Sequence, residues 1–279
     1  MSAQSGNYVL GHSDEELRRL EQQGRFFADL TAHIFRDAGL REGMHVLDIG
    51  CGAGDVSLLA AQFVGATGSV VGIDRSEEAV ALAATRARAF GAVSINFVAG
   101  DAGELRFDRT FDAIIGRLVL MYHPRPAELL RHLSSHLRAG GILIFQEIDT
   151  GHLISEPRCP LYDRIGRWIV EILRASGADP MMGLKLRRTF VEAGLPAPQM
   201  LVTGRVDGGA DSPAYEMLTA TLRSLLPAGE KFGVVKPGDV QIETLADRLR
   251  NEVVAGASVI LPPLLIGAWA CKPADLSRF

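Results

Sequence analysis

Cysteine is scarce in this chain of 279 residues. Cys51, Cys159 and Cys271 stand far apart, with no CxxC pair and no close Cys/His companion, which excludes a disulfide scaffold and leaves no zinc-binding pattern. A reducing cytoplasm suits that usage. Positive charge is not in excess either: 29 Lys and Arg oppose 33 Asp and Glu, for a net charge of −4 and an isoelectric point near 6.0. Such a balance offers no general attraction to nucleic-acid phosphates or anionic lipid. The opening MSAQSGNYVLGHSDEE lacks both a basic region and an apolar run, so no secretory leader is expected. Long apolar runs are almost absent. Only residues 253–270 are charge-free for long enough to suggest a membrane span, and Pro262 and Pro263 interrupt them at the middle. That segment reads as a helix end followed by a buried strand.

What is present is ordinary globular material, 47% apolar and 22% charged, long enough for one large domain with an elaborated edge. Ser13 and Glu16 have the spacing of a capping box, and Leu17, Leu20, Phe27, Leu30, Ile34 and Phe35 follow at helical intervals. The pattern predicts helix over 13–38, broken at Gly24. From Gly43 onward short apolar runs alternate with Ala-rich amphipathic stretches, the form of repeated strand and helix units. Strands are expected at 44–49, 69–74, 94–100, 111–117 and 141–148, with helices at 54–65, 76–90 and 126–138 carrying the chain back across a parallel sheet. After Ile148 the rhythm breaks. Helices are expected at 160–176, 212–226 and 240–256; 185–194 leads through Gly194-Leu195-Pro196 into a strand at 198–206, and a final strand is expected near 265–271. The organisation expected is a helical lid at 1–42, a core at 43–150, and a remainder at 151–279 whose last two strands complete the sheet while 151–180 and 207–262 add to the lid.

Chemistry concentrates where the first strand turns into its helix, at Asp48-Ile49-Gly50-Cys51-Gly52-Ala53-Gly54. Glycines there let a backbone approach a small ligand where a Cβ would crowd it. A dinucleotide fingerprint needs a further glycine at 55, where Asp55 would set a carboxylate against a pyrophosphate. No Lys-Ser/Thr follows the last glycine, so a phosphate-binding P-loop is not indicated. His132 and His136 lie one helical turn apart without the glutamate of an HExxH motif, and read as a solvated helix face. No metal site is expected.

DxGxGxG at the end of a first strand resembles the first motif of class I S-adenosylmethionine-dependent methyltransferases, in the small-molecule branch related to quinone-biosynthesis C-methyltransferases. The resemblance is specific over about 43–150 and topological at 184–206 and 264–272. It implies a Rossmann-like α/β fold: a seven-stranded, mostly parallel sheet with helices on both faces and a helical lid from the N-terminus and the C-terminal insertions. It also implies S-adenosylmethionine as cofactor, with Asp48, Gly50, Gly52 and Gly54 shaping its loop. Asp74, closing Val71-Gly72-Ile73, would hold both ribose hydroxyls, since a carboxylate accepts two charge-assisted hydrogen bonds from a cis-diol. Asp101 and Ala102 would meet the adenine, with Arg75 flanking the ring. Arg117 either reaches the ligand carboxylate or starts a surface turn. Tyr8, His12, Gln22, Gln23 and Arg25 would lie near the covering helices, and Tyr8 is taken as a cofactor contact.

For proton handling, His123 at the carboxyl edge of the fourth strand is a candidate base. Glu147 is a second candidate, and with Asp149 it reads equally as substrate contact or as a cap or lid ion pair. Trp168, Trp269, Phe26, Phe27, Met181 and Met182 are assigned to packing. The reaction implied is methyl transfer to carbon, oxygen or nitrogen of a small organic molecule. Gly116-Arg117-Leu118-Val119 stands where enzymes that methylate bases carry Asn-Pro-Pro-aromatic, so nucleic acid is not the expected acceptor. A nucleotide-dependent oxidoreductase and a non-catalytic S-adenosylmethionine-binding protein are the alternatives.

Overall fold

The computed structural model describes residues 14–92, 94–104 and 106–274. Helix α1 (Asp14–Ala38) leads into β1 (His45–Ile49), α2 (Asp55–Val64), β2 (Ser69–Asp74), α3 (Glu77–Ala89) and β3 (Ile95–Ala99). Strand β4 (Phe111–Arg117), a short 3-10 turn (Leu120–Tyr122), α4 (Pro126–Ser135) and β5 (Leu137–Asp149) follow. The remainder comprises β6 (Ile154–Glu156), α5 (Pro160–Ala175), α6 (Met182–Glu192), β7 (Gln199–Thr203), α7 (Ala214–Lys231), α8 (Leu245–Ala255), β8 (Val259–Leu261) and β9 (Leu264–Cys271).

Seven strands form one sheet in the order β3-β2-β1-β4-β5-β9-β7. The first five are parallel, and β9 runs antiparallel between β5 and β7. Consecutive buried residues in the middle strands, such as Val46 to Ile49 and Ala113 to Gly116, follow from cover on both faces. After β1 the chain moves outward through β2 and β3, then returns to the other side of β1 as β4. Right-handed crossovers therefore set α2 and α3 on one face and α4 on the other. The reversal opens a crevice between the carboxyl ends of β1 and β4. Helix α1 packs on α2 and α7, while α5, α7 and α8 pack on one another beyond the sheet's carboxyl edge.

Local departures from the sequence pattern have physical reasons. Helix α1 runs unbroken through Gly24. A Cβ at Gly24 would lie 2.3 Å from the Asp55 Cγ, so this glycine marks the close approach of α1 to the start of α2. Strand β5 begins at Leu137, four residues ahead of expectation, because Leu137 pairs with Phe111 before a register shift brings Ile142 opposite Ala113. The charge-free run at 253–270 divides into the end of α8, β8 and β9, and β8 pairs with β6 in a separate ribbon. Among the described residues no helix is long and apolar enough to cross a membrane.

Candidate active site

The loop after β1 has its three glycines at φ +65°, +51° and +85° for Gly50, Gly52 and Gly54, a left-handed conformation that side chains adopt at a cost. At Gly50 space is short as well, since an added Cβ would lie 2.7 Å from the Val119 Cγ2. The loop is tied to β2 by Cys51 N–H, which donates to the Ile73 carbonyl at 2.9 Å. Gly52 N–H donates to Asp74 Oδ2 at 2.8 Å, and Ser76 N–H donates to Asp74 Oδ1 at 3.0 Å. Ser76 in turn caps α3 by accepting from Ala79 N–H. Each oxygen of Asp74 is thus oriented by one backbone donor and keeps a further lone pair.

A cavity of about 480 Å³ opens over this loop, a size suited to a small molecule or cofactor. Gly50, Gly52, Asp74 and Arg75 line it, and Asp101, Ala102, Arg117 and His123 close its other sides. With Gln23 of α1, nine of the candidate site residues named from the sequence therefore meet around one space. Asp101 accepts from Gly103 N–H at 2.8 Å and pairs with Arg75 at 2.7 Å. Arg117 is partly buried; its Nη1 donates to Thr31 Oγ1 at 3.1 Å, and the guanidinium lies 6.0 Å from the Phe27 ring centroid. Burial lowers its pKa against the opposing pull of Asp55 and Asp48. It is a tie between β4 and α1, not the start of a surface turn.

Asp48 and Gly54 support the loop from outside the cavity. Asp48 is buried and accepts from Ser57 Oγ at 2.6 Å; burial pushes its carboxyl up to about 7. Asp55 pairs with Arg86 at 2.8 Å, so its charge is neutralised and the missing glycine, not charge repulsion, is what departs from a dinucleotide loop. Tyr8, His12 and Ser13 lie outside the described residues.

His123 accepts from Arg125 N–H through Nδ1 at 3.2 Å, and burial lowers its pKa, helped by the charges of Arg75 and Arg125. A neutral ring held this way keeps its proton on Nε2 and presents a donor there. Glu147 lines neither cavity. It is fully buried, with Oε1 accepting from Val119 N–H at 3.0 Å and Leu120 N–H at 2.7 Å, and Oε2 from Met121 N–H at 3.3 Å. Asp149 accepts from Gly151 N–H at 2.8 Å and meets His152 Nδ1 at 2.5 Å, which makes it a cap of the turn after β5. His136 is not on a solvated face. It is buried at the end of α4, edge-on to Phe107 with ring centroids 5.4 Å apart.

A second chamber of about 40 Å³ adjoins the first and shares Arg19, Gln23, Leu118 and Tyr122 with it. Phe27, Met121, Ile169, Met217, Leu218 and Leu225 give it an apolar wall, varied by Thr150 and Thr221. Arg19, Gln23 and Phe27 are spaced four residues apart on α1 and form one stripe, whereas Gln22 and Arg25 are exposed. Arg19 is not singled out by the sequence: helical spacing gives the stripe but not the direction in which it faces. Among the described residues no cluster of His, Cys, Asp and Glu is able to hold a metal.

Residues 40–174 match the model of a methyltransferase domain family. Over 133 residues the chain is 32% identical to the demethylmenaquinone methyltransferase of Staphylococcus aureus strain MRSA252, a stretch covering 47% of this chain and 52% of that one. The chain spans about half the length of the curated relatives it matches. Among solved structures, a SAM-dependent methyltransferase from Aquifex aeolicus superposes with a TM-score of 0.54 at 16% identity, covering 94% of this chain and 99% of that one. The [4+2]-cyclase SpnF superposes at 0.50 with 21% identity, covering 89% and 82%. These two likenesses establish the fold.

Proposed function

We infer that this chain, which carries a methyltransferase domain of the class I S-adenosylmethionine-dependent fold, transfers a methyl group to a small organic acceptor. The observation that carries this reading is the Asp74 carboxylate, fixed by Gly52 and Ser76 N–H at the edge of the glycine loop with lone pairs left for a diol. The donor set suits the cofactor. Asp74 would take the two ribose hydroxyls, Asp101 and Ala102 the adenine edge, and Arg75 the flank of the ring. Gly50 and Gly52 leave the loop backbone open to close approach, and Arg117 would face the amino-acid end. When bound, S-adenosylmethionine supplies a methyl group on a positively charged sulfur, so the chemistry resides largely in the cofactor.

The chain's own residues then orient and exclude. The apolar chamber walled by α1, α5 and α7, at about 40 Å³, would take only a small apolar group of the acceptor, and its walls help to keep water from the transfer. His123, the remaining candidate base, has its proton placed to donate, so it orients an oxygen more readily than it removes a proton. This arrangement supports an acceptor that is nucleophilic without help from a side chain. The curated relatives are named for demethylmenaquinone, but they match over 133 residues only, and the family model ends at residue 174, ahead of α7, which builds much of the acceptor wall. Carbon, oxygen and nitrogen acceptors therefore all belong in the test. The dispersed free cysteines and acidic balance support a cytoplasmic enzyme acting on metabolites rather than on nucleic acid.

Calorimetry with S-adenosylmethionine, S-adenosylhomocysteine and NAD(P)H tests the cofactor assignment. The first two are expected to bind and the last not; preferential binding of NAD(P)H would sink it. Mass spectrometry of acceptor mixtures that include reduced demethylmenaquinone then looks for a methyl gain. Binding without any gain favours the non-catalytic alternative.

A further inference from the structure

The segment between the two chambers is unusual in its backbone. Leu118 stands at φ +57°, a region that costs a branched residue about 1 kcal/mol or more. Its N–H donates to the Gln146 carbonyl at 2.8 Å. The chain then winds into the 3-10 turn Leu120–Tyr122, whose first N–H groups have no acceptor inside the turn. Leu118 and Tyr122 face both chambers, while Val119 faces the larger one and touches the position that Gly50 leaves open. A shift of this segment would therefore alter both chambers and the loop that shapes the first.

Glu147 supplies the acceptors that the turn lacks. It comes from the neighbouring strand β5, is fully buried, and takes the N–H groups of Val119, Leu120 and Met121. We propose that Glu147 is a positioning residue that holds the partition at 118–122 in its strained form through hydrogen-bond acceptance alone, without transferring a proton. The asymmetry of its contacts supports this. Oε1 takes two well-formed bonds, at 3.0 and 2.7 Å, as a carbonyl oxygen can, whereas Oε2 has one long contact at 3.3 Å. Oε1 thus does most of the holding, and burial pushes this carboxyl up to about 8 against the downward pull of the three N–H groups. Glutamine has the same shape and the same Oε1 acceptor. Removal of the acceptor would leave buried N–H groups unpaired, at about 1–3 kcal/mol each.

The proposal rests on the methyltransferase reading only in its choice of ligand probe. Amide hydrogen exchange on the ligand-free chain is one readout, and S-adenosylhomocysteine affinity by calorimetry is the other. Glu147→Gln should keep the slow exchange of Val119 and Leu120 and hold the dissociation constant within about threefold. Glu147→Leu should speed exchange at residues 119–121 at least tenfold, leave exchange in β1 and β2 unchanged, and weaken affinity about tenfold. Should the leucine variant not fold, Glu147→Asp, one methylene too short to reach, should move both readouts the same way. A glutamine variant as impaired as the leucine variant would overturn the proposal, because an ionisable group would then be required. So would a folded leucine or aspartate variant with parental exchange. If the parent chain binds no S-adenosylhomocysteine, the functional reading fails while the exchange experiment still decides the role of Glu147.

Discussion

The two chambers share a partition but are built in opposite ways. The larger is made from strand ends, with a left-handed glycine loop, two acids at the ends of β2 and β3, and backbone donors that aim them. The smaller is made from helix faces and is walled mainly by aliphatic, aromatic and thioether side chains. Directional groups fix one ligand geometry, whereas apolar walls fix only shape and dryness. The first chamber should therefore be intolerant of single substitutions, and the second should be retunable.

The sharpest test of that contrast is Asp74→Ala. It removes the acceptors for the diol and also frees Gly52 and Ser76 N–H, so S-adenosylhomocysteine affinity should fall at least about a hundredfold, since hydrogen bonds to charged groups are worth about 1.5–3 kcal/mol each. Parental affinity measured by calorimetry would remove the diol assignment. Gly24→Ala comes next. Its new methyl would meet Asp55 and disturb the part-buried Asp55–Arg86 pair, and denaturant titration should show about 2 kcal/mol of lost stability. An unchanged midpoint would mean that α1 shifts freely, and the wall it gives both chambers would not be fixed.

A smaller effect is expected from pH. Burial raises Asp48 from its ordinary 3.8 to about 7, so between those values the folded chain holds a proton that the unfolded chain has released. Stability from this group is complete below about pH 4 and is lost as pH rises toward 7, at up to about 1.4 kcal/mol per pH unit. Asp48→Asn should flatten that part of the stability profile, and an equally steep profile in the variant would show that the carboxyl under the loop is ionised throughout. Met217→Leu should be mildest. It conserves volume in the smaller chamber, so stability should change by less than about 1.5 kcal/mol and cofactor affinity by less than twofold. The KM for a methylated acceptor should move severalfold, and loss of cofactor binding instead would contradict the division into two chambers.

Legibility followed the same division. The five parallel strands and their helices stood in the sequence because apolar runs and glycine punctuation are local signals, and Asp74 and Asp101 stood out because each ends such a run. Gly24 read as a break in a helix when its cause is Asp55, distant in the chain, which no local pattern encodes. The ribbon of β6 and β8 joins segments a hundred residues apart, and three-residue strands carry almost no period. Glu147 was marked as chemically interesting for its position at a strand end. Its neighbours, three backbone N–H groups of another segment, became evident only in three dimensions. Arg19 and Tyr122 likewise depended on which side of α1 and of the turn faces inward.

Strand β9 sits between β5 and β7 although both precede it in the chain. During synthesis β7 has no hydrogen-bonded neighbour until β9 has been made and inserted, and β5 keeps one side bare for the same interval. Such late, long-range pairing slows folding and leaves open strand edges prone to self-association. Slower translation of the stretch between β7 and β9 should thus prolong that exposure and lower how much of this protein is recovered intact from a cell.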